Sequence, residues 1–142
     1  MLTRKASAQW KGSTARGNGT MKVAGHTLKY SVPSRFEDGE AEGTNPEELI
    51  GAAHAGCFSM ALAGILTRAK HEVRQLDTTA EVSIEKEDGG WEVKRVALTV
   101  RGDVEGIDDE QFVTYAEEAK ANCPISKALA SVDEITLDAA LR

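Results

Sequence analysis

The sequence predicts an α+β domain, and three observations support this class. Stretches in which apolar residues alternate, typical of strands, lie at both ends of the chain and after its middle. Two helical segments separate these stretches. The strands on either side of Asp88 are joined by a tight turn, which favours antiparallel hairpins over strict βαβ units. We therefore expect antiparallel sheets wrapped around central helices.

The first elements are short. Residues 7–32 mix alternation with several glycines, which indicates short strands and turns. Residues 33–43 (PSRFEDGEAEG) are acidic and rich in glycine, which predicts a loop. Residues 44–48 (TNPEE) place a capping residue, a proline and two carboxylates where a helix starts. This helix should run from about 46 to about 70.

The second half predicts a hairpin, two helices and a final strand. Residues 77–86 and 91–100 alternate on either side of the turn at 87–90, and a change of phase predicts a bulge near Lys94 and Arg95. A helix should begin around 108–109 and end at about 121. Proline 124 should open another short helix to about 130, with Cys123 at its N-cap. Residues 134–141 alternate as a last strand.

Length and charge restrict the class of protein. The chain has 142 residues, with 17 basic and 23 acidic side chains and a net charge of −6. This length predicts one compact domain, residues 1–142, that needs no disulfide scaffold. The acidic balance and the lack of a basic run argue against nucleic acid or an anionic membrane as the main partner. Small molecules and other proteins remain as the expected partners.

The run at 49–66 (LIGAAHAGCFSMALAGIL) carries no Asp, Glu, Lys or Arg. It only reaches the lower length limit for a membrane span, and it lacks aromatic belts and basic flanks. We interpret it as a buried central helix. Since a helix that is apolar nearly all round must be enclosed on several sides, a partner subunit is the expected supplement in so short a chain.

The two cysteines are expected to be reduced. The N-terminal residues have no apolar stretch of the kind a secretory signal needs, so the expected location is the cytoplasm. Thiols there are normally free, catalytic or metal-binding rather than bridged. Cys57 lies in the apolar helix, where a cysteine is commonly an inert core residue. Cys123 lies at a helix start, which lowers the pKa of a thiol, although a buried cap is the plainer explanation.

Three further side chains are candidates. His54 precedes Cys57 by three positions, so both share one helix face and could form half a zinc site or a Cys–His pair; a hydrogen-bonded interior histidine is the simpler interpretation. Arg35 stands out in an acidic loop but could be a surface ion pair. Glu47 is explained by capping of the helix start.

Two segments resemble the osmotically inducible protein C (OsmC) family, the sister of the organic hydroperoxide resistance proteins. They are residues 43–62 (GTNPEELIGAAHAGCFSMAL) and residues 121–126 (ANCPIS). Weaker similarity extends over nearly the whole chain. The resemblance implies an intertwined homodimer with two active sites at its interface.

The resemblance also implies a function. The implied protein is a thiol peroxidase that would reduce organic hydroperoxides, and hydrogen peroxide less efficiently, without haem, flavin or metal. Cys57 would be the peroxidatic cysteine, Cys123 the resolving one, Glu47 the catalytic carboxylate and Arg35 the catalytic arginine, with Arg16 as the alternative. The implied reductant is an external dithiol, a lipoyl-bearing protein or lipoamide.

Helix geometry adds an expectation. Ten residues separate Glu47 from Cys57, a rise of about 15 Å and a rotation of about 80° away from a common face. The two cannot meet within one straight helix, so a shared site would take Glu47 from a second subunit. The alternatives to the peroxidase are a non-catalytic redox switch or small-ligand module between subunits, and zinc binding through His54 and Cys57.

Overall fold

The computed structural model describes residues 1–38 and 41–142. The chain divides into two compact units, Met1–Leu49 and Ile50–Arg142, which are described in turn. The prediction of one domain over residues 1–142 stays a prediction. Helices and strands are interleaved, and the α+β class is confirmed.

The first unit contains a small antiparallel sheet. Its strands are β1 (Ser7–Lys11), β2 (Asn18–Val23) and β3 (His26–Tyr30), in the order β1-β2-β3. Ala24 and Gly25 turn the chain between β2 and β3, both at positive φ. The prediction of short strands and turns in this region is confirmed.

The prediction of a loop over 33–43 is wrong at its start. Helix α1 (Val32–Phe36) forms there because Ser31 and Ser34 make a reciprocal capping box, and a proline occupies the first turn. The Ser34 hydroxyl also donates to the Thr44 carbonyl at 2.7 Å. Residues 39 and 40, also within the predicted loop, lie outside the described residues. The remaining residues of that segment are irregular.

Helix α2 (Pro46–Arg68) begins in the first unit and continues into the second. The predicted start is confirmed, since the Asn45 side-chain oxygen accepts a hydrogen bond from the Glu48 N–H at 2.9 Å. The helix ends two residues before the predicted limit because Lys70 takes a left-handed conformation, with φ of 67°.

The second unit is built on strands β4 (Val73–Glu87), β5 (Gly90–Val104) and β6 (Glu134–Leu141). β4 and β5 form the predicted antiparallel hairpin, and both are longer than predicted. Ser83 pairs with Arg95 and Ile84 with Val93, which leaves Lys94 as the extra residue. The predicted bulge is confirmed at that residue.

The expectation of antiparallel sheets is corrected at β6, which pairs with β5 in parallel. The reason is the connection between them, which carries α3 (Asp109–Asn122) and α4 (Pro124–Ala128) and is long enough to return the chain to Arg95 of β5, where β6 begins to pair. Asp108 and Gln111 form a capping box at the start of α3. Both helices fall close to their predicted positions, and Cys123 is the N-cap of α4 as predicted.

The core of this unit includes residues from α2, α3 and β5. Gly102 permits the fit of α3, because a Cβ there would come within 2.6 Å of the Phe112 ring. The largest fully buried apolar side chains include Phe58, Leu62, Leu66, Leu98, Val100 and Phe112.

Helix α2 buries only one of its faces. By length and composition alone it could cross a membrane, but a third of its most apolar window is buried among the described residues and contributes to the core. Ala52, Ala53, Gly56 and Met60 lie on an exposed face, with Met60 at 74% exposure. The prediction of a buried central helix is therefore confirmed for one face, and the other face is exposed in the part of the chain that the structure describes.

Candidate active site

The four predicted site residues form two pairs, each within its own unit. Arg35 and Glu47 pair in the first unit, at the C-terminal turn of α1 and the first turn of α2. Cys57 and Cys123 pair in the second unit, on α2 and at the N-cap of α4. Arg16, the alternative arginine, lies on the exposed connection between β1 and β2.

The guanidinium of Arg35 is held by a fork of hydrogen bonds. Its Nε donates to both carboxylate oxygens of Glu47, at 3.2 and 3.1 Å, and its Nη2 donates to Oε1 at 2.6 Å. Glu47 is buried, whereas the Arg35 side chain keeps 35% of its surface exposed. Such a pair fixes the plane of the guanidinium and leaves it able to donate to a further group.

A pocket of about 320 Å³ lies beside this arginine. Its walls include the rings of Trp10, Tyr30 and Phe36, and the Trp10 and Tyr30 rings are 5.4 Å apart. The Arg35 guanidinium stacks over Phe36, with its carbon 4.9 Å from the ring centre. The pocket thus combines an aromatic wall with a cation at its edge, a pattern that suits an apolar ligand with one polar end.

The two sulfurs differ in access. Both cysteines are free; Cys57 is partly exposed, and Cys123 is completely buried. Their thiols lie close enough for each to shift the pKa of the other, although they come from distant segments of the chain. A reagent from solvent can therefore reach Cys57 first, and Cys123 is placed to react with whatever forms on Cys57.

The two thiols also differ in acidity. Burial raises the pKa of Cys57; the Ile125 N–H opposes this, and the neighbouring Cys123 adds to it. Burial acts to raise the pKa of Cys123 too, but the N–H and hydroxyl of Ser126, the Cys57 thiol and the Ile125 N–H outweigh it, so this pKa lies below its ordinary value. The expected low pKa of the thiol at the helix start is confirmed. The pKa of Cys57, in contrast, lies above its ordinary value.

His54 is completely buried, as predicted for an interior histidine. Its Nε2 lies 2.7 Å from the hydroxyl oxygen of Ser126, and burial lowers its pKa. Across the described parts of the chain, no three His, Cys, Asp or Glu side chains are grouped so that they could hold a metal ion, which leaves the zinc hypothesis without a ligand set.

Sequence reasoning did not single out Ser126. The residue stands at the third position of α4 and is buried, within reach of both His54 and Cys123. The available signal was its spacing, because the third residue of a helix lies next to the N-cap side chain. The contact with His54 joins positions 72 apart, which no local pattern indicates.

Comparison with known proteins decides the family. A family model described as OsmC-like protein matches residues 39–138. The chain belongs to the OsmC family. Peroxiredoxin OsmC of Escherichia coli K12 is 46% identical over 99% of this chain and 98% of its own length. Organic hydroperoxide resistance protein OhrA of Bacillus subtilis is 34% identical over 68% of this chain and 67% of its own length.

Solved structures of the sister group share the OsmC fold. An organic hydroperoxide resistance protein from Elizabethkingia anophelis superposes with a TM-score of 0.79 at 25% identity and covers 99% of both chains. OhrB of Bacillus subtilis superposes with a TM-score of 0.72 at 27% identity and covers 98% of both chains. The resemblance seen in the two cysteine segments is thereby confirmed over nearly the full length.

Proposed function

We propose that this OsmC-family chain is a thiol-dependent peroxidase that reduces organic hydroperoxides to alcohols, with Cys57 as the peroxidatic cysteine. The observation that carries the proposal is a partly exposed thiol and a fully buried one that lie close enough for each to shift the pKa of the other. The names of its relatives, a peroxiredoxin and organic hydroperoxide resistance proteins, support the same chemistry.

In the first step the Cys57 thiolate attacks the terminal oxygen of the hydroperoxide. The S–O bond forms as the O–O bond breaks, and the alkoxide takes up a proton and leaves as the alcohol. The sulfur loses two electrons and becomes a sulfenic acid. This step needs the ionised form of Cys57, and burial disfavours that form.

A cation is required to stabilise the Cys57 thiolate, and we assign this role to Arg35. Glu47 fixes the guanidinium through the hydrogen-bond fork and is a positioning residue. The remaining donors of Arg35 would hold the thiolate and the peroxide oxygens together and stabilise the leaving alkoxide. Its pairing with Glu47 supports Arg35 over Arg16 for this role.

In the second step the Cys123 thiolate attacks the sulfenic sulfur. The S–S bond forms as the S–O bond breaks, and hydroxide leaves and becomes water. An external dithiol then reduces the disulfide by two exchange steps and is itself oxidised to a disulfide. We propose a lipoyl-type dithiol as this reductant. No prosthetic cofactor takes part in the scheme.

The active form is proposed to be a homodimer in which Arg35 and Glu47 of one chain serve Cys57 of the other. Along α2 the rise between Glu47 and Cys57 is about 15 Å, too far for one carboxylate and one thiol to share a site on a straight helix. The exposed face formed by Ala52, Ala53, Gly56 and Met60 suits close packing against a second α2. Such packing would also complete the enclosure of the helix.

The substrate class follows from the pocket beside Arg35. Its walls of Trp10, Tyr30 and Phe36 would accept an aryl or alkyl tail, and hydrogen peroxide would leave that surface unused. We propose the cytoplasm as the location, since a cycle through free thiols needs a reducing compartment.

The proposal is tested by peroxide consumption with cumene hydroperoxide and excess dihydrolipoamide. Wild-type protein should turn over many times, and Cys57→Ser should not turn over at all. Ser59→Ala is the matched control, because it removes a hydroxyl from α2 that bonds Thr78 and leaves the cysteines unchanged. Disulfide formation without multiple turnover, with either dihydrolipoamide or reduced thioredoxin, would instead indicate a redox switch.

A further inference from the structure

The buried pair His54 and Ser126 has no role in the scheme above. Ser126 lies one helical turn after Cys123, and its hydroxyl oxygen is 2.7 Å from His54 Nε2. Both side chains are at least nine-tenths buried. Burying two polar side chains in an apolar core costs free energy of folding, even when they bond each other. Their hydrogen bond lies next to the Cys123 thiol and can act on it.

The hydrogens of this pair can be placed from the surroundings. His54 Nδ1 has no hydrogen-bond partner. Among the described residues it is the only buried side-chain nitrogen or oxygen without one. A hydrogen on Nδ1 would be an unpaired buried donor, which proteins avoid more strictly than an unpaired acceptor. The hydrogen therefore belongs on Nε2, which donates to the Ser126 oxygen. Burial keeps the ring neutral, since it lowers the pKa of His54.

The Ser126 hydroxyl must then direct its own hydrogen to another acceptor. Cys123 is the N-cap of α4 and Ser126 is the third residue of that helix, the two positions that a capping interaction joins. The Ser126 hydroxyl and N–H both act to lower the pKa of the Cys123 thiol. The other groups that act on Cys123 are the Cys57 thiol and the Ile125 N–H, and all of them are uncharged.

We propose that His54 and Ser126 are positioning residues for the resolving sulfur, in a chain of donation from His54 Nε2–H to Ser126 Oγ–H to the Cys123 thiolate. These hydrogen bonds act on the second step of the proposed cycle, and this inference rests on the proposed function. These two donors stabilise the ionised form of Cys123 without a charged side chain in the core. Attack on the Cys57 sulfenic acid then needs no prior proton transfer from Cys123.

The thiol of Cys123 can be titrated without any peroxide chemistry. In a Cys57→Ser background, the thiolate absorbance in the ultraviolet gives the midpoint for Cys123 alone. Ser126→Ala should raise this midpoint by about one pH unit, which is about tenfold less thiolate at a pH below both midpoints. Ser59→Ala, which removes a hydroxyl bonded to Thr78, should not move it.

Two histidine variants test whether the N–H donor at the Nε2 position, and not the imidazole ring itself, sets the Cys123 midpoint. His54→Gln places an amide N–H where Nε2–H stands and should keep the midpoint close to that of the parent. His54→Asn reaches only as far as Nδ1 and should raise the midpoint as Ser126→Ala does. Circular dichroism and urea melts show which variants are folded. If His54→Asn does not fold, the Cys123 midpoint in Ser126→Ala tests the inference.

With both cysteines present, stopped-flow experiments resolve the two steps. Ser126→Ala should oxidise Cys57 at the parent rate and form the disulfide about tenfold more slowly. An unchanged midpoint for Cys123 in Ser126→Ala overturns the inference and leaves the peroxidase intact. A shifted midpoint together with no oxidation of Cys57 in the parent supports the inference and overturns the proposed function.

Discussion

Cys57 and Cys123 lie close enough in the second unit for each thiol to shift the pKa of the other, and of the two only Cys57 reaches solvent. The buried thiol has the lowered pKa and the accessible thiol the raised one. Acidity alone would favour Cys123 as the first nucleophile, but a hydroperoxide cannot collide with a sulfur that has no exposed surface. We therefore propose that access sets the order of attack, and that Arg35 of a second chain supplies the cation that the Cys57 thiolate needs.

Arg35→Met should raise the pKa of Cys57 and lower the second-order rate of its oxidation by about a hundredfold, because a preorganised donor to the reacting charge is lost. Stopped-flow oxidation by cumene hydroperoxide measures the rate. Lys29→Met is the matched control, since Lys29 makes an exposed ion pair with Glu42 in the same unit. An equal loss in the control would remove the assignment of Arg35.

Glu47→Gln should reduce the same rate less than Arg35→Met does, because the cation remains but its plane is no longer fixed by a charged fork. A decrease of about tenfold is expected, from a loss of one to two kcal/mol of charge-assisted hydrogen bonding. The double variant Arg35→Met with Glu47→Gln should be no slower than Arg35→Met alone. Additive losses would show that Glu47 acts independently of the arginine.

Met60→Glu should dissociate the proposed dimer and abolish peroxide turnover. Met60 is 74% exposed in the single chain and lies on the uncharged face of α2. A carboxylate buried there would have no partner, which is costly in an apolar interface. Sedimentation velocity gives the oligomeric state. Val113→Glu, at an exposed apolar position of α3, should leave both state and activity unchanged. Wild-type protein that sediments as a monomer with full turnover would contradict the shared site.

Stability should fall on mild acidification because of His54. Burial lowers its pKa below the ordinary 6.5, so between the two values the unfolded chain binds more protons than the folded one. The stabilisation is complete above pH 6.5 and is lost as the pH falls through the folded pKa, with a slope of at most about 1.4 kcal/mol per pH unit.

Urea melts between pH 7.5 and pH 5 measure this slope. His54→Gln cannot titrate and should show a shallower dependence than the wild type. His26→Gln, at an exposed position of β3, should keep the wild-type slope. If His54→Gln and the wild type lose stability in parallel, protonation of His54 is not the cause.

Gly102→Ala should destabilise the second unit by about 1 to 3 kcal/mol through overpacking. The added Cβ would come within 2.6 Å of the Phe112 ring, in the core between α3 and β5. The free energy of unfolding in urea measures the loss. Gly89→Ala is the control, since a Cβ there meets no atom within 4 Å. Equal stability of the two variants would show that α3 moves to accommodate the methyl group.

Local signals in the sequence predicted most elements correctly. The start of α2 is encoded by Asn45 and the proline that follows it, and the bulge at Lys94 by the change of phase between Val93 and Val96. The position of Cys123 at the N-cap of α4 followed from the proline after it. Each of these features is decided within a few residues, which is the range over which propensity and capping act.

Features that depend on distant contacts could not be predicted in the same way. Alternation in 134–141 shows a strand but not its direction, and the parallel pairing of β6 depends on how α3 and α4 return the chain. Helix α1 is too short for periodicity, and only the Ser31 and Ser34 capping box and the proline in its first turn mark it. The contact of His54 with Ser126 results from packing of α2 near the start of α4, which sequence spacing does not contain.

The most direct test of the account is mass spectrometry of Cys123→Ser after one equivalent of cumene hydroperoxide. Without the resolving thiol, the oxidised intermediate should persist, and peptide mapping should place one added oxygen atom on Cys57, which dimedone then traps. Wild-type protein treated in the same way should instead yield the Cys57–Cys123 disulfide. Oxygen on another residue, or full consumption of peroxide with Cys57 left as a thiol, would contradict the account.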